Sequence, residues 1–373
     1  MTKKTLLLVS LVAMMATNLN AQKTNYMKDA FKGKFSIGAA ISAKQVLSKD
    51  KKLQKLVRNQ YDCLVAENCM KGEVVSPAEG KWDFTDADRF VQYCQKNRKD
   101  CYGHCLVWHS QAPGWTFTGP DGQRVSRDLL IKRMTDHIRT VMTRYKGKIK
   151  AWDVVNEAIQ NDGTFRHSYY YDIIGEDFFA IAFKTAHECD PDAMLFYNDY
   201  SMNIPAKRNA VIALVKKLRA KGCRVDGVGM QSHVSLDTPL DEYERTIQAL
   251  SDADCKVMIT ELDLTILPWP NEKNGAAVEG SIAYSAALDP YKDGNVPKEK
   301  MDELNSFYER LFGIYLRHTD AITRVNFWGI EDGASWRNGW PVVGRTDFPL
   351  PFNRDLTAKP FVSIIENMAL QQK

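Results

Sequence analysis

Two glutamates stand at the ends of apolar runs. "WDVVNEAI" 152–159 carries Asn156 and Glu157, and "MITELDL" 258–264 carries Glu261 and Asp263. Each run has the composition of a buried strand, yet each ends in carboxylates instead of aliphatic residues. Strand side chains alternate with a period of two. Glu261 and Asp263 therefore share a face, as do Gln231 and His233 of "GVGMQSH" 227–233. Other apolar runs close on Glu67 and Asn68, on His104, Trp108 and His109, on Asn198 and Asp199, and on Trp328. Strand ends that merely met water would be rich in Lys and poor in indoles; these are the reverse. Two carboxylates with a histidine, amides and indoles suit glycoside hydrolysis. That reaction needs one carboxylic acid to protonate the leaving oxygen and a second carboxylate across the anomeric carbon. Indole faces pack on the C–H faces of sugar rings, and amides bind hydroxyls. A metal hydrolase would also use His and carboxylates, but needs three ligands converging on one point. A serine esterase would carry G-x-S-x-G, which the chain lacks.

The elements that must position these residues recur along the chain. The strand-like runs are "FSIGAAI" 35–41, "CLVAEN" 63–68, "CYGHCLVW" 101–108, "IKAWDVVNE" 149–157, "AMLFYND" 193–199, "GVGMQSH" 227–233, "CKVMITELD" 255–263 and "ITRVNFWGI" 322–330. Between them lie mixed-charge segments such as 127–145 and 205–222, whose apolar residues recur at three and four, the helical period. Gly222 stands where a helix would stop. Such alternation predicts an α/β chain of parallel strands with helical crossovers, and eight strands close a (β/α)8 TIM barrel. An open doubly wound sheet is the alternative; it would place a glycine-rich turn after an early strand, and none is present. In a barrel the site lies at the C-terminal strand ends, where the polar residues fall. Two segments stand outside the alternation: the loop 72–86, and the long stretch 264–302, rich in Pro, Gly and Asn.

The 373 residues are 44% hydrophobic and 26% charged, an ordinary globular balance. The start is different. A basic "MTKK", a short apolar "LLLVSLVAMMA" and a polar stretch ending at Ala21 have the layout of a secretory signal peptide. The apolar run is shorter than the roughly 20 residues that span a bilayer. The expected domains are a signal peptide, 1–21, and one catalytic domain, 22–373. Removing Lys3 and Lys4, with no acid, takes the formal charge from +4 to +2. That balance offers nothing for nucleic acid or an anionic membrane. Eight cysteines are present. Export permits disulfides, and the expectation is buried thiols with one or two bridges. Cys101-x₃-Cys105 lacks an accompanying Cys/His pair at zinc spacing, so neither metal nor cofactor is expected.

Seven stretches taken together resemble a known family. "AENCMK" 66–71, "GHCLVWHSQAPGW" 103–115, "WDVVNEAI" 152–159, "YNDY" 197–200, "GVGMQSHVS" 227–235, "MITELDL" 258–264 and "NFWGIEDGASWRNG" 326–339 are similar, in order, to the motifs of glycoside hydrolase family 10, retaining endo-β-1,4-xylanases. The resemblance covers nearly all of the chain after residue 21 and implies a (β/α)8 barrel. It implies that Glu157 is the general acid/base and Glu261 the nucleophile. Asn156 then binds the sugar 2-hydroxyl, His233 bonds the nucleophile, and Asp263 orients His233. Glu67, Asn68 and Lys71 bind glycone hydroxyls; His104, Trp108, Gln231, Trp328 and Trp336 line the subsites beside the scissile bond. Gly72 stands where the family usually has Trp, which implies a different contact to the distal glycone sugar. The stretch 264–302 exceeds the usual loop and is a candidate wall on the aglycone side. The expected partners are xylan and xylo-oligosaccharides, with no nucleic acid, no membrane and a monomeric chain. A cellulase or mannanase on the same barrel is the alternative for the substrate. A catalytically dead glycan binder would have no need of both glutamates with His233 and Asp263.

Overall fold

A computed structural model describes residues 26–270 and 280–372. The expected signal peptide lies outside the described residues. The strands are β1 (Ser36–Ile41), β2 (Cys63–Ala66), β3 (Asp100–Gly103), β4 (Val107–Trp108), β5 (Ala151–Asn156), β6 (Met194–Asp199), β7 (Gly227–Met230), β8 (His233–Ser235), β9 (Lys256–Thr265) and β10 (Ile322–Phe327). β1, β2, β3, β5, β6, β7, β9 and β10 pair in that order, every pair parallel, and β10 returns to β1. The sheet is thus a closed eight-stranded barrel. Its helices are Lys51–Gln60, Thr85–Lys96, Arg127–Tyr145, Asp177–Cys189, Pro205–Ala220, Leu240–Asp252, Lys298–Arg317 and Pro360–Gln371, one after each barrel strand.

Local sequence accounts for these elements. The strands are buried on both faces, so they read as continuous apolar runs and not as alternating ones. Asp50 and Ser126 accept N–H bonds from the first turns of the helices they precede, which satisfies donors that the helix itself leaves free. Gly222 takes φ +76° just past Ala220 and ends the helix as expected. At Gly103 a Cβ would stand 2.1 Å from the ring of Trp152, so only glycine leaves room for that fully buried indole.

Three expectations are corrected. "CYGHCLVW" is not one strand: β3 stops at Gly103, and Val107–Trp108 resumes pairing on β5 as β4. "GVGMQSH" likewise breaks after Met230, and His233 restarts as β8 against β9. Both interruptions fall just past the C-terminal end of a barrel strand, at His104–Leu106 after β3 and at Gln231–Ser232 after β7. The cysteines are all free, and all but Cys189 are buried; they behave as small apolar core residues, with no bridge. The stretch 264–302 also differs in detail. Ile282 bridges to the chain beside Val342, and the helix begins at Lys298. Among the described residues no helix is long and apolar enough to cross a membrane.

Candidate active site

The strand ends open into a cleft of about 510 Å³, its mouth included. Glu67, Asn68, Lys71, His104, Trp108, Gln111, Glu157, Gln231, His233, Glu261, Trp328 and Trp336 line it. Of the residues singled out from the sequence, Asn156, Asp263, His109, Asn198 and Asp199 are not on that lining; Asn156, Asn198 and Asp263 instead bond side chains that are. Strand register brings these groups together. Asn156 of β5 lies opposite Trp108 of β4 and Asn198 of β6, and His233 of β8 lies opposite Asp263 of β9.

Glu157 follows β5 directly and holds φ +57°. A non-glycine residue there costs on the order of 1–3 kcal/mol and persists only when its surroundings fix it. Its carboxyl is buried, 4% exposed. Oε2 accepts the Trp108 indole N–H at 3.0 Å; Oε1 accepts from Gln231 Nε2 at 2.8 Å and from Asn156 Nδ2 at 3.2 Å. Burial pushes the Glu157 carboxyl above its ordinary value. The Gln231 bond opposes this, while the charges of Asp199 and Glu261 add to it.

Glu261 has the opposite balance. Burial alone would raise it as well. The hydrogen bond from His233, the field of His104 and the bond from Asn198 outweigh that, and Glu261 lies below the usual carboxylate value. Its Oε2 is 3.2 Å from His233 Nε2, and its Oε1 accepts from Asn198 Nδ2 at 2.8 Å. His233 Nδ1 is 3.0 Å from Asp263 Oδ1. Burial disfavours a charge on His233, but Asp263 and then Glu261 overcome it and raise the imidazole to about 9. Asp263 is also buried, yet Arg337 and His233 hold it down at about 2. Arg337 reaches Asp263 Oδ1 through Nε at 2.8 Å and Nη2 at 2.7 Å. The indole N–H of Trp336 donates to the other oxygen at 2.7 Å. Charge therefore alternates from Arg337 to Asp263 to His233 to Glu261, and every member is nearly dry.

On the other side of the cleft, Lys71 Nζ donates to Asn68 Oδ1 at 2.8 Å and to Gln111 Oε1 at 2.7 Å, and lies 5.0 Å from the Trp108 ring centre. Burial lowers the Lys71 ammonium and raises the neighbouring Glu67, the latter against the pull of Lys71. His104 Nδ1 meets Asp153 Oδ2 at 2.9 Å, and its ring stands edge-on to Trp328 at 5.2 Å. Trp336 stacks on Trp340 at 4.7 Å and 11°. A surface of rigid indoles, amides, one lysine and the three carboxyls of Glu67, Glu157 and Glu261 can seat a polyhydroxylated ring and act on a bond between the unlike Glu157 and Glu261. Among the described residues no three His, Cys, Asp or Glu side chains gather as a metal ion would need.

Three residues that bond the site together were given no role from the sequence. Asn198 links Asn156 to Glu261 through one amide, with Nδ2 2.9 Å from Asn156 Oδ1. Its position at a strand end was visible, but not that its amide reaches both neighbouring strands. Gln111 lay inside a recognised stretch and carried no chemical signal of its own. Arg337, beside Trp336 in a recognised stretch, carried no role from the sequence and is 1% exposed; only the barrel brings it to Asp263, 74 residues away in sequence.

Known proteins resemble the chain over most of its length. The model of glycosyl hydrolase family 10 matches residues 26–368. The chain is 48% identical over 346 residues to the endo-1,4-beta-xylanase A of Xylanibacter ruminicola, covering 92% of this chain and 94% of that one. It is 36% identical over 336 residues to the beta-1,4-xylanase of Dictyoglomus thermophilum, covering 89% and 88%. Among solved structures, a GH10 endoxylanase retrieved from sugarcane soil metagenome superposes with a TM-score of 0.88 at 42% identity, covering 92% of this chain and 99% of that one.

Proposed function

The chain belongs to glycosyl hydrolase family 10, and from that premise we propose that it is an exported endo-β-1,4-xylanase in which Glu261 is the nucleophile and Glu157 the acid/base. It is a retaining glycoside hydrolase, and its substrates are xylan and xylo-oligosaccharides. The observation that carries the assignment of roles is the unlike setting of the two carboxyls: Glu261 sits against a cationic histidine, and Glu157 among amide and indole donors with negative neighbours.

In the first step a Glu261 oxygen forms a bond to the anomeric carbon as the bond from that carbon to the leaving oxygen breaks. Glu157 delivers its proton to that oxygen. In the second step Glu157 takes a proton from water, whose oxygen displaces Glu261. Two inversions give net retention. Asn156 supports the reaction by meeting the 2-hydroxyl, a contact worth several kcal/mol or so if it tightens as charge develops. Glu67, Asn68 and Lys71 hold the glycone sugar; His104, Trp108, Gln231, Trp328 and Trp336 enclose the sugars at the bond that breaks.

The pH dependence follows from the two shifts. Glu261 must be ionised, and its value is lowered, so the acid limb of kcat/KM lies below the ordinary 4.5 of a glutamate. Glu157 must be protonated, and its value is raised, so the alkaline limb lies above 4.5. Asp263→Asn removes the anion that keeps His233 charged. Glu261 then loses part of what holds it down, and the acid limb moves to higher pH. A pH–rate profile of this variant with an unmoved acid limb would show that the chain of alternating charge does not reach the nucleophile.

Selectivity for xylose needs a wall at C5, where glucose carries a hydroxymethyl group and xylose only hydrogens. Trp336 cannot swing aside: its N–H is held by Asp263 and its face by Trp340. Trp328 is packed among Ala40, Val65 and Trp336. Overlap with so rigid a wall discriminates by more than the roughly 1–3 kcal/mol that one methylene of contact supplies. Trp336→Ala and Trp328→Ala are each expected to lower the xylobioside-to-cellobioside ratio of kcat/KM roughly tenfold or more, even as both rates fall. The companion measurement is reducing-sugar release from xylan, cellulose and mannan side by side, with xylan strongly preferred. Release from cellulose or mannan at a comparable rate would move the substrate assignment to those polymers.

Export rests on the first 21 residues, with cleavage after Ala21. N-terminal sequencing of the protein recovered outside the cytoplasm should begin at Gln22. A product retaining Met1 would remove the export claim.

A further inference from the structure

We propose that Arg166 is a positioning residue for Glu157: its guanidinium clamps the backbone carbonyl of Glu157 and thereby keeps the carboxyl aimed at the leaving oxygen. The inference rests on the acid/base reading of Glu157. Glu157 is held at φ +57°, a conformation that a residue with a side chain leaves readily when nothing retains it. Three bonds retain it. Its own N–H donates to the Asn198 carbonyl at 2.9 Å, and the next N–H, of Ala158, donates to the Tyr197 hydroxyl at 3.0 Å. Both acceptors belong to β6, a fixed part of the barrel wall. The third bond comes from outside the barrel: Arg166 Nε donates to the Glu157 carbonyl at 2.8 Å.

The chain is folded to deliver that third bond. After Glu157 it runs out and back as a short hairpin, with Ile159 opposite Phe165 and Gly163 at φ +87° in the turn. The hairpin closes where the Arg166 N–H donates to the Ala158 carbonyl at 2.8 Å. Arg166 thus contacts the acid/base loop twice, through its main chain and its side chain. Its Nη2 donates to the Tyr200 hydroxyl at 2.7 Å. Tyr200 is itself immobilised, its ring centre 3.7 Å from Lys207 Nζ, which pairs with Asp199 at 2.6 Å. A guanidinium best matches a carboxylate fork. Here, among the described residues, it forms no ion pair and is spent on a main-chain carbonyl and a phenol. The role is therefore geometric: without Nε, the peptide after Glu157 keeps only the Ala158 N–H bond to Tyr197, its carbonyl loses its donor, and the aim of the carboxyl loosens. Glu261 is untouched, because His233 and Asn198 hold it from other strands.

This predicts a loss confined to steps that need Glu157. In Arg166→Ala, kcat/KM on xylohexaose should fall about ten- to a hundredfold, the scale of a catalytic group displaced by an ångström. On dinitrophenyl β-xylobioside, whose leaving group needs no proton, kcat/KM should stay within about twofold of the native value. There kcat and KM should fall together as hydrolysis of the glycosyl-enzyme slows, and azide should restore kcat while yielding the β-glycosyl azide. Arg166→Lys, with one donor group in place of the fork, should lie between native and Ala. Arg166→Gln, read on the same two substrates, serves if the Ala variant does not fold. Equal losses on both substrates, no response to azide, or a loss residing in KM and growing with aglycone length would each overturn the proposal; the last would make Arg166 a sugar contact. If Glu157→Ala shows the leaving-group dependence and the Arg166 variants do not, this inference fails and the acid/base assignment stands. If neither shows it, the assignment itself fails.

Discussion

Glu261→Ala is expected to lower kcat on every substrate by about a millionfold, the scale of removing a covalent nucleophile. A better leaving group should not help. Dinitrophenyl β-xylobioside dispenses with the proton from Glu157, but it still needs an oxygen to bond to the anomeric carbon. The nearest carboxylate along β9 is Asp263, and it is no substitute: Arg337, Trp336 and His233 occupy its oxygens. The variant leaves a small space beside His233 and Asn198, which an azide ion can enter. Attack from that side inverts the anomeric carbon once, so the product should be the α-glycosyl azide. Native enzyme should release the β anomer first, as proton NMR before mutarotation would record. A fluorinated xylobioside that forms but does not hydrolyse the ester should label the peptide that contains Glu261. A label elsewhere, or a residual rate on the aryl glycoside above about a thousandth of native, would remove Glu261 from the role.

What the sequence disclosed and what it did not divide along a physical line. Short apolar runs alternating with helical periodicity are a local signal, and the barrel follows from their number because only closure covers the last strand edge. Strand-end residues such as Glu157, Glu261 and His233 were legible because polar side chains close one apolar run after another, a local signal that needs no knowledge of the partner strand. The rim breaks at His104–Leu106 and at Gln231–Ser232 were not legible, since a backbone reversal such as the φ of +65° at Ser232 is announced by no residue type there. Residues that act across strands were hidden for a different reason. Asn198 joins Asn156 to Glu261, 63 residues away, and Arg337 and Arg166 find acceptors that no local pattern names. A cation in a sequence reads as solvated until the fold supplies its partner. The cysteines misled in the same way: a count consistent with bridges is equally consistent with a core of small apolar thiols, and the fold decided it by bonding none of them to another.

Glu157→Ala should produce the most selective defect of all. On xylan the leaving group is a sugar alkoxide, and loss of its proton donor should cost about 10²- to 10⁴-fold in kcat/KM. On the dinitrophenyl glycoside kcat/KM should remain near native, because the phenolate leaves unaided and Glu261 is intact. Yet kcat on that substrate should drop, since water attacks the ester without a base. The same residue does both jobs because its surroundings change during turnover. Burial, Asp199 and Glu261 all raise Glu157 and favour its protonated form in the free enzyme. Burial and Asp199, which is locked to Lys207, do not change during the reaction. The charge on Glu261 does: it vanishes when the ester forms. The Glu157 carboxyl then becomes more acidic at the moment it must accept a proton, and less acidic again when Glu261 is released. Azide needs no base, so it should raise kcat of the variant on the aryl glycoside and give the β-glycosyl azide, retention having been set by Glu261. The alkaline limb should also disappear from the kcat/KM profile on that substrate, since the group that titrates there is gone. Equal losses on xylan and on the aryl glycoside, or an alkaline limb that persists, would mean that the proton comes from another group.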